Sequence, residues 1–166
     1  SWRVGINGIN AEADFANQDV DDKRLQKLGL SLKPWTKGEH IIVTTQNSNS
    51  AAWPNIKPED WCKKILQWLR EHTDRKIYLR PHPRHMVNLG MITKQFNNVE
   101  VSHPKSTGNK DEVDFKALLN NAHAVVNYNS NPAIESVMAG VPVFVDKTSL
   151  CYEVGNKIYA KNVENP

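Results

Sequence analysis

Two short stretches hold most of the side chains able to do chemistry. Arg80-Pro81-His82-Pro83-Arg84-His85 puts two guanidinium groups and two imidazoles in one short loop, and its two prolines stiffen that loop. A guanidinium is a planar, permanently charged donor for phosphate or carboxylate, and an imidazole gives or takes a proton near neutrality. The second stretch is Asn127-Tyr128-Asn129-Ser130-Asn131, followed by Pro132 and, three residues later, Glu135. Asn129, Ser130 and Asn131 offer side-chain donors beside the free N–H groups of a helix start, which suits an anion. Glu135 lies one turn below and is placed to take a hydroxyl. Without a ligand the same residues make a basic surface turn and a well-capped helix.

The elements around these stretches are readable from period and punctuation. Ile41–Thr45, Lys76–Arg80, Val99–Ser102, Ala124–Val126 and Val141–Val145 are apolar or β-branched runs expected as strands, with a last short strand at Ile158-Tyr159. Helices are expected from Pro58, with Trp61, Ile65, Trp68 and Leu69 as the apolar stripe and Leu66 at its edge, and over Met86–Phe96 and Asp114–Asn121. Pro132 suits a first helical position with Asn131 as N-cap, and Gly140 suits the stop. Five strands alternating with helices imply an α/β, doubly wound, mostly parallel sheet, Rossmann-like, ordered 3-2-1-4-5. Each polar cluster follows a strand. Parallel strands therefore bring Gln46–Ser50, Arg80–His85, Ser102-His103, Asn127–Asn131 and Asp146-Lys147 to one edge.

Those residues resemble a known family. The polar turn, the acidic helix and the "IESVMAGVPVFV" run are similar to the nucleotide-sugar half of GT-B glycosyltransferases, most strongly over residues 76–155. Arg-Pro-His-Pro resembles the "HP" motif of bacterial capsule-polysaccharide Kdo transferases and sialyltransferases. The resemblance implies that His82, with Pro83, contacts the nucleotide phosphate and that Ser130 completes the grip from a later strand. This chain has Asn129-Ser130-Asn131 where those families often carry paired hydroxyl residues. On this reading His82 and Glu135 are the catalytic candidates. Arg80, His82, Arg84, Asn129, Ser130, Asn131 and Glu135 bind the nucleotide-sugar, which is substrate rather than cofactor. A second GT-B-like domain or partner chain is expected to supply the acceptor's base. The alternatives are a cytidine-nucleotide-dependent phospho-polyol transferase and a non-catalytic α/β interaction module that kept the scaffold.

Composition narrows the class. At 166 residues, 39% hydrophobic and 23% charged, the chain can build one domain with a core. Residues 39–166 are expected to form the Rossmann-like domain. Residues 1–38 are expected as an arm or inter-domain segment, with a helix over Asp21–Leu30 that turns Leu25 and Leu28 inward and stops at Gly29. Trp2 and Trp35 are expected to pack on this domain or on a second one. A net charge of +3 weakly favours anionic ligands, and the aromatics do not interleave with basic residues as nucleic-acid binding would require. His82, His85 and His103, lacking a nearby cysteine or acid, make a poor zinc set, and no metal is expected. No apolar run approaches a membrane span. Cys62 and Cys151 sit among apolar residues, as buried free thiols do in a reducing, cytoplasmic compartment.

Overall fold

The computed structural model describes residues 23–35, 37–47, 49–50, 53, 56–84, 88–105 and 114–166. Trp2 and His85 lie outside them. The elements in chain order are α1 (Lys23–Lys27), β1 (His40–Thr44), α2 (Pro58–Arg70), β2 (Lys76–Arg80), α3 (Gly90–Thr93), β3 (Val99–Val101), α4 (Phe115–Leu119), β4 (Ala122–Asn127), α5 (Pro132–Met138), β5 (Val143–Val145) and β6 (Asn156–Lys157). The strands form one open sheet in the order β3-β2-β1-β4-β5-β6, and every pairing is parallel. This is a doubly wound α/β fold. The expected order 3-2-1-4-5 is met, and a sixth strand extends it at Asn156–Lys157 rather than Ile158-Tyr159.

Strand alternation splits the core in two. Ile41, Val43, Ile77, Leu79, Ala124, Val126 and Phe144 point to one face and pack with α2. Ile42, Val125, Val143 and Val145 point to the other and pack with Phe115, Leu119 and Ala133 from α4 and α5. Period two is what lets a buried strand serve both layers. On α2 the buried stripe is wider than expected: Cys62 and Leu66 are fully buried alongside Trp61, Ile65, Trp68 and Leu69. Burial first, and Glu59 second, push the Cys62 thiol up to about 12, so it stays protonated as a small apolar group.

Several elements are shorter than their sequence patterns suggest. Of the helix expected over Met86–Phe96, Met86 and Val87 lie outside the described residues and the rest holds one turn, α3; α4 ends at Leu119. α1 buries nothing: Leu25 is 37% exposed and Leu28 62%, so neither turns inward. A five-residue helix is too short to hold a face against the sheet by propensity alone. Gly29 does end it, at φ 63°. The segment beyond returns to the domain through backbone, with the Lys33 N–H on the Met138 carbonyl at 3.1 Å. Gly140 makes that possible. Its φ is 76°, and an added Cβ would run into the Pro34 carbonyl oxygen. Trp35 stays 53% exposed among the described residues.

One buried histidine gives the fold a pH dependence. His123 on β4 is fully buried, and its Nε2 lies 2.8 Å from the Val163 carbonyl oxygen. Nε2–H is therefore the donor, and Nδ1 has no hydrogen-bond partner among the described residues. Burial lowers the imidazole's pKa below 6.5; the Val163 carbonyl opposes this, Arg75 and Lys37 add to it, and Glu164 opposes it. The unfolded chain accepts a proton that the fold resists. Stability is therefore level above about 6.5 and falls as pH drops below it, by no more than about 1.4 kcal/mol per unit. Urea unfolding at about pH 7 and pH 5.5 should show a smaller drop in His123→Gln than in the parent. Equal drops would remove His123 as the cause.

Candidate functional site

The strand order reverses direction between β1 and β4. Such a switch point leaves a crevice at the carboxyl ends of the two strands, where α/β proteins bind ligands. The ends of β1 and β4 are joined there by side chains. Thr44 and Asn127 face each other in register. The Asn127 Nδ2 donates to Thr44 Oγ1 at 2.6 Å and to Ser130 Oγ at 2.8 Å, and its Oδ1 accepts the Ser130 N–H at 2.8 Å. Asn127 is fully buried, so both ends of its amide are used. Ser130 Oγ accepts from Asn127 and so keeps its own O–H proton to donate elsewhere.

The next residue of the β1 end holds the other loop. Thr45 Oγ1 accepts the His82 N–H at 3.0 Å, and the Thr45 N–H reaches the Arg80 carbonyl at 2.9 Å. The Arg84 N–H donates to His82 Nδ1 at 3.1 Å, so in the neutral ring the proton sits on Nε2. His82 and Ser130, far apart in sequence, are thus fastened to consecutive residues of the same strand end. Beside them Gln46 is 6% exposed; its Nε2 reaches Ser50 Oγ at 3.4 Å, and its Oε1 has no hydrogen-bond partner among the described residues.

Other expected site residues are placed differently. Arg80 is 4% exposed and its guanidinium is taken up inside the protein. Nη1 donates to Ser102 Oγ at 3.2 Å, to the Ser102 carbonyl at 3.4 Å and to the His103 carbonyl at 3.2 Å, while Nη2 pairs with Asp114. A buried charge demands such partners, and Arg80 thereby ties β2 to the segments flanking β3 and α4. Burial pushes the Asp114 carboxyl upward, but the Arg80 guanidinium and the Lys105 N–H outweigh it and leave its pKa below the ordinary value. Asn129 is buried and gives its Nδ2 to Thr148 Oγ1 at 2.9 Å. Asn131 does not act as a side-chain N-cap. Its backbone is already helical at φ −52° and ψ −32°, which carries its side chain away from the cap position. The Asn127 side chain instead organises the turn, four residues earlier.

Arg84 is exposed, with its N–H on His82. Glu135 sits in the first turn of α5 and is exposed; partial desolvation raises its carboxyl pKa, and Lys116 opposes the rise. Thr44, Thr45 and Gln46 were legible as strand residues and loop but not as site residues. The available signal was their position at the end of the strand that must border the switch point. Among the described residues no three His, Cys, Asp or Glu side chains gather as a metal site, and no helix is long and apolar enough to cross a membrane.

No family model and no curated protein matches the sequence. Among solved structures the chain is similar to Thermosulfurimonas dismutans KpsC, described as a beta Kdo 2,7 transferase, at 22% identity with a TM-score of 0.55. The match covers 86% of this chain and 49% of that one, so the chain spans about half the length of its structural relative. At that identity the likeness is one of architecture, and it agrees with the parallel sheet and its strand order: the chain has a GT-B-like, Rossmann-type fold.

Proposed function

We propose that the crevice between β1 and β4 binds a nucleotide-activated sugar, and that the chain acts as one half of a GT-B-type glycosyltransferase in surface or capsule polysaccharide synthesis. The observation that carries this reading is the joint fastening of His82 and Ser130 to Thr45 and, through Asn127, to Thr44. These are the two residues that the resemblance pairs on a nucleotide phosphate, and the strand end holds both in place before any ligand arrives. On this reading the His82 imidazole and the Ser130 hydroxyl donate to the leaving phosphate. Preorganised donors stabilise charge as it develops on a leaving group, without reorganisation at the moment of reaction. Glu135 takes a ribose or sugar hydroxyl. The half-length match to KpsC supports a second domain that brings the acceptor's base and closes the cleft against water.

Thermal shift with CMP, CDP, UDP and their sugars tests the reading. A cytidine or uridine nucleotide at about millimolar concentration is expected to raise Tm, because ligand bound only to the folded state stabilises it by mass action. The same shift should disappear in Ser130→Ala, which removes the donor while keeping the turn. No shift with any of these nucleotides would remove donor binding from this chain.

A further inference from the structure

Asp146 and Thr148 lie just beyond β5, and both are tied to the turn that carries Ser130. The sheet ladder runs one step past the strand ends, where the Asp146 N–H donates to the Tyr128 carbonyl at 3.0 Å. Side chains continue the join. The Asn129 Nδ2 donates to Thr148 Oγ1 at 2.9 Å. Thr148 in turn gives its hydroxyl, at 2.9 Å, and its N–H, at 3.0 Å, to Asp146 Oδ1. The direction of these bonds is forced. A carboxylate only accepts, so the Thr148 hydroxyl proton goes to Asp146 and the oxygen lone pairs are left for Asn129. Asn129 must therefore present the NH2 end of its amide to Thr148.

The β4 turn is thus held from both sides. β4 is flanked in the sheet by β1 and β5, and the chain at the end of each neighbour supplies a threonine hydroxyl that accepts from an asparagine amide. On the β1 side Thr44 accepts from Asn127 at 2.6 Å, and on the β5 side Thr148 accepts from Asn129 at 2.9 Å. Ser130 directly follows Asn129 and is bonded to Asn127 through both its N–H and its Oγ. One tether leaves a short turn free to pivot about it, whereas two from opposite sides fix it. Asn129 is 5% exposed, so water competes little for its bond to Thr148. A binding group held to within about 0.5 Å needs such support from the residues behind it. Asp146 also lines, with Trp61, Tyr128, Tyr152 and Tyr159, a cleft beyond the β5 end. Crevice and cleft share this pair of turns, and Thr148 is the side chain that joins them.

We propose that Thr148, oriented by Asp146, is a positioning residue that fixes the β4 turn and with it the Ser130 hydroxyl. Its service to phosphate binding rests on the donor reading above, whereas the fixing of the turn does not. Amide hydrogen exchange followed by NMR, with CMP, CDP and UDP titrations of the same 166-residue proteins, tests it. Thr148→Val removes the hydroxyl and keeps the side-chain shape. It should speed exchange of the Ser130 N–H about three- to tenfold, the size of one net hydrogen bond. The amides of Val125 and Val126, fully buried in β4, should exchange as in the parent. Thr148→Ser keeps the hydroxyl and should return Ser130 to the parent rate. Asp146→Ala should act like Thr148→Val by a smaller factor, since Asn129 keeps its acceptor. Nucleotide affinity should fall about three- to tenfold in Thr148→Val and recover in Thr148→Ser. Faster Ser130 exchange without binding of any nucleotide would sustain the fixed turn and remove only the donor reading. Unchanged Ser130 exchange in Thr148→Val, no recovery in Thr148→Ser, equal acceleration along β4, or nucleotide affinity equal in Thr148→Val and the parent would each overturn the proposal.

Discussion

Asp114→Ala is expected to lower the unfolding free energy by about 2–4 kcal/mol, toward the lower part of the range for breaking a buried ion pair. The loss comes from what is left behind. The side chain of Arg80 is 5% exposed and that of Asp114 is 32% exposed, so removing the acid strands a cation that water cannot reach. Removing the cation strands only a carboxylate that can rehydrate. Arg80→Met should therefore cost less, about 0–2 kcal/mol, because methionine refills the volume. Urea unfolding of both variants decides it, and equal losses or the opposite order would show that the pair does not hold the β2 end. The pair also sets an acid limit. The Asp114 pKa lies below its ordinary 3.8, so its contribution is complete above about that pH and fades as pH falls through the lowered value. This window lies well under the His123 window, and acid unfolding should show the two as separate steps in slope.

The second large effect is on binding. His82→Ala is expected to weaken nucleotide affinity by about 1.5–3 kcal/mol, the range for a hydrogen bond to a charged group, or roughly ten- to hundredfold. Stability should change little. The link from this loop to the strand end is the His82 backbone N–H on Thr45 Oγ1, which alanine retains. His82→Gln keeps a donor near the Nε2 position and should recover part of the affinity. Calorimetry with the best nucleotide, normalised to folded protein, separates the readings. A variant that unfolds, with unchanged affinity per folded molecule, would make His82 a structural residue. Thr45→Val should weaken the same affinity by a smaller factor, because it removes the anchor of the loop rather than the donor.

Much of this architecture was readable from the chain alone. Lys76–Arg80 begins and ends as its pattern indicates, and Pro58 opens α2 with its apolar stripe inward. The strand order followed from alternation of strands and helices, because right-handed crossovers in a parallel sheet leave few topologies. These are local or statistical constraints: period, proline, glycine and handedness act over a few residues or over the whole fold.

What the sequence could not assign is which polar group each polar group would meet. Arg80 reads as a phosphate donor in a basic loop, yet burial makes it seek Asp114, and that partner comes from a connection two elements away. Asn127 reads as the first residue of a turn, yet it ends β4 and becomes the hub for Thr44 and Ser130. The helix pattern of Leu25 and Leu28 promised an inward face, yet both stay exposed among the described residues. Aromatic residues scattered from Trp61 to Tyr159 carry no joint signal until the sheet gathers them around one cleft. By itself the sequence determined a doubly wound parallel sheet with its polar loops on one edge, since hydrophobic period and chain connectivity suffice for that. Only the tertiary structure decided which of those loop residues are tied to one another at the strand ends and which are consumed within the protein. Hydrogen bonds and buried charges are satisfied by neighbours in space, and spatial neighbours at the sheet edge come from strands far apart in the chain.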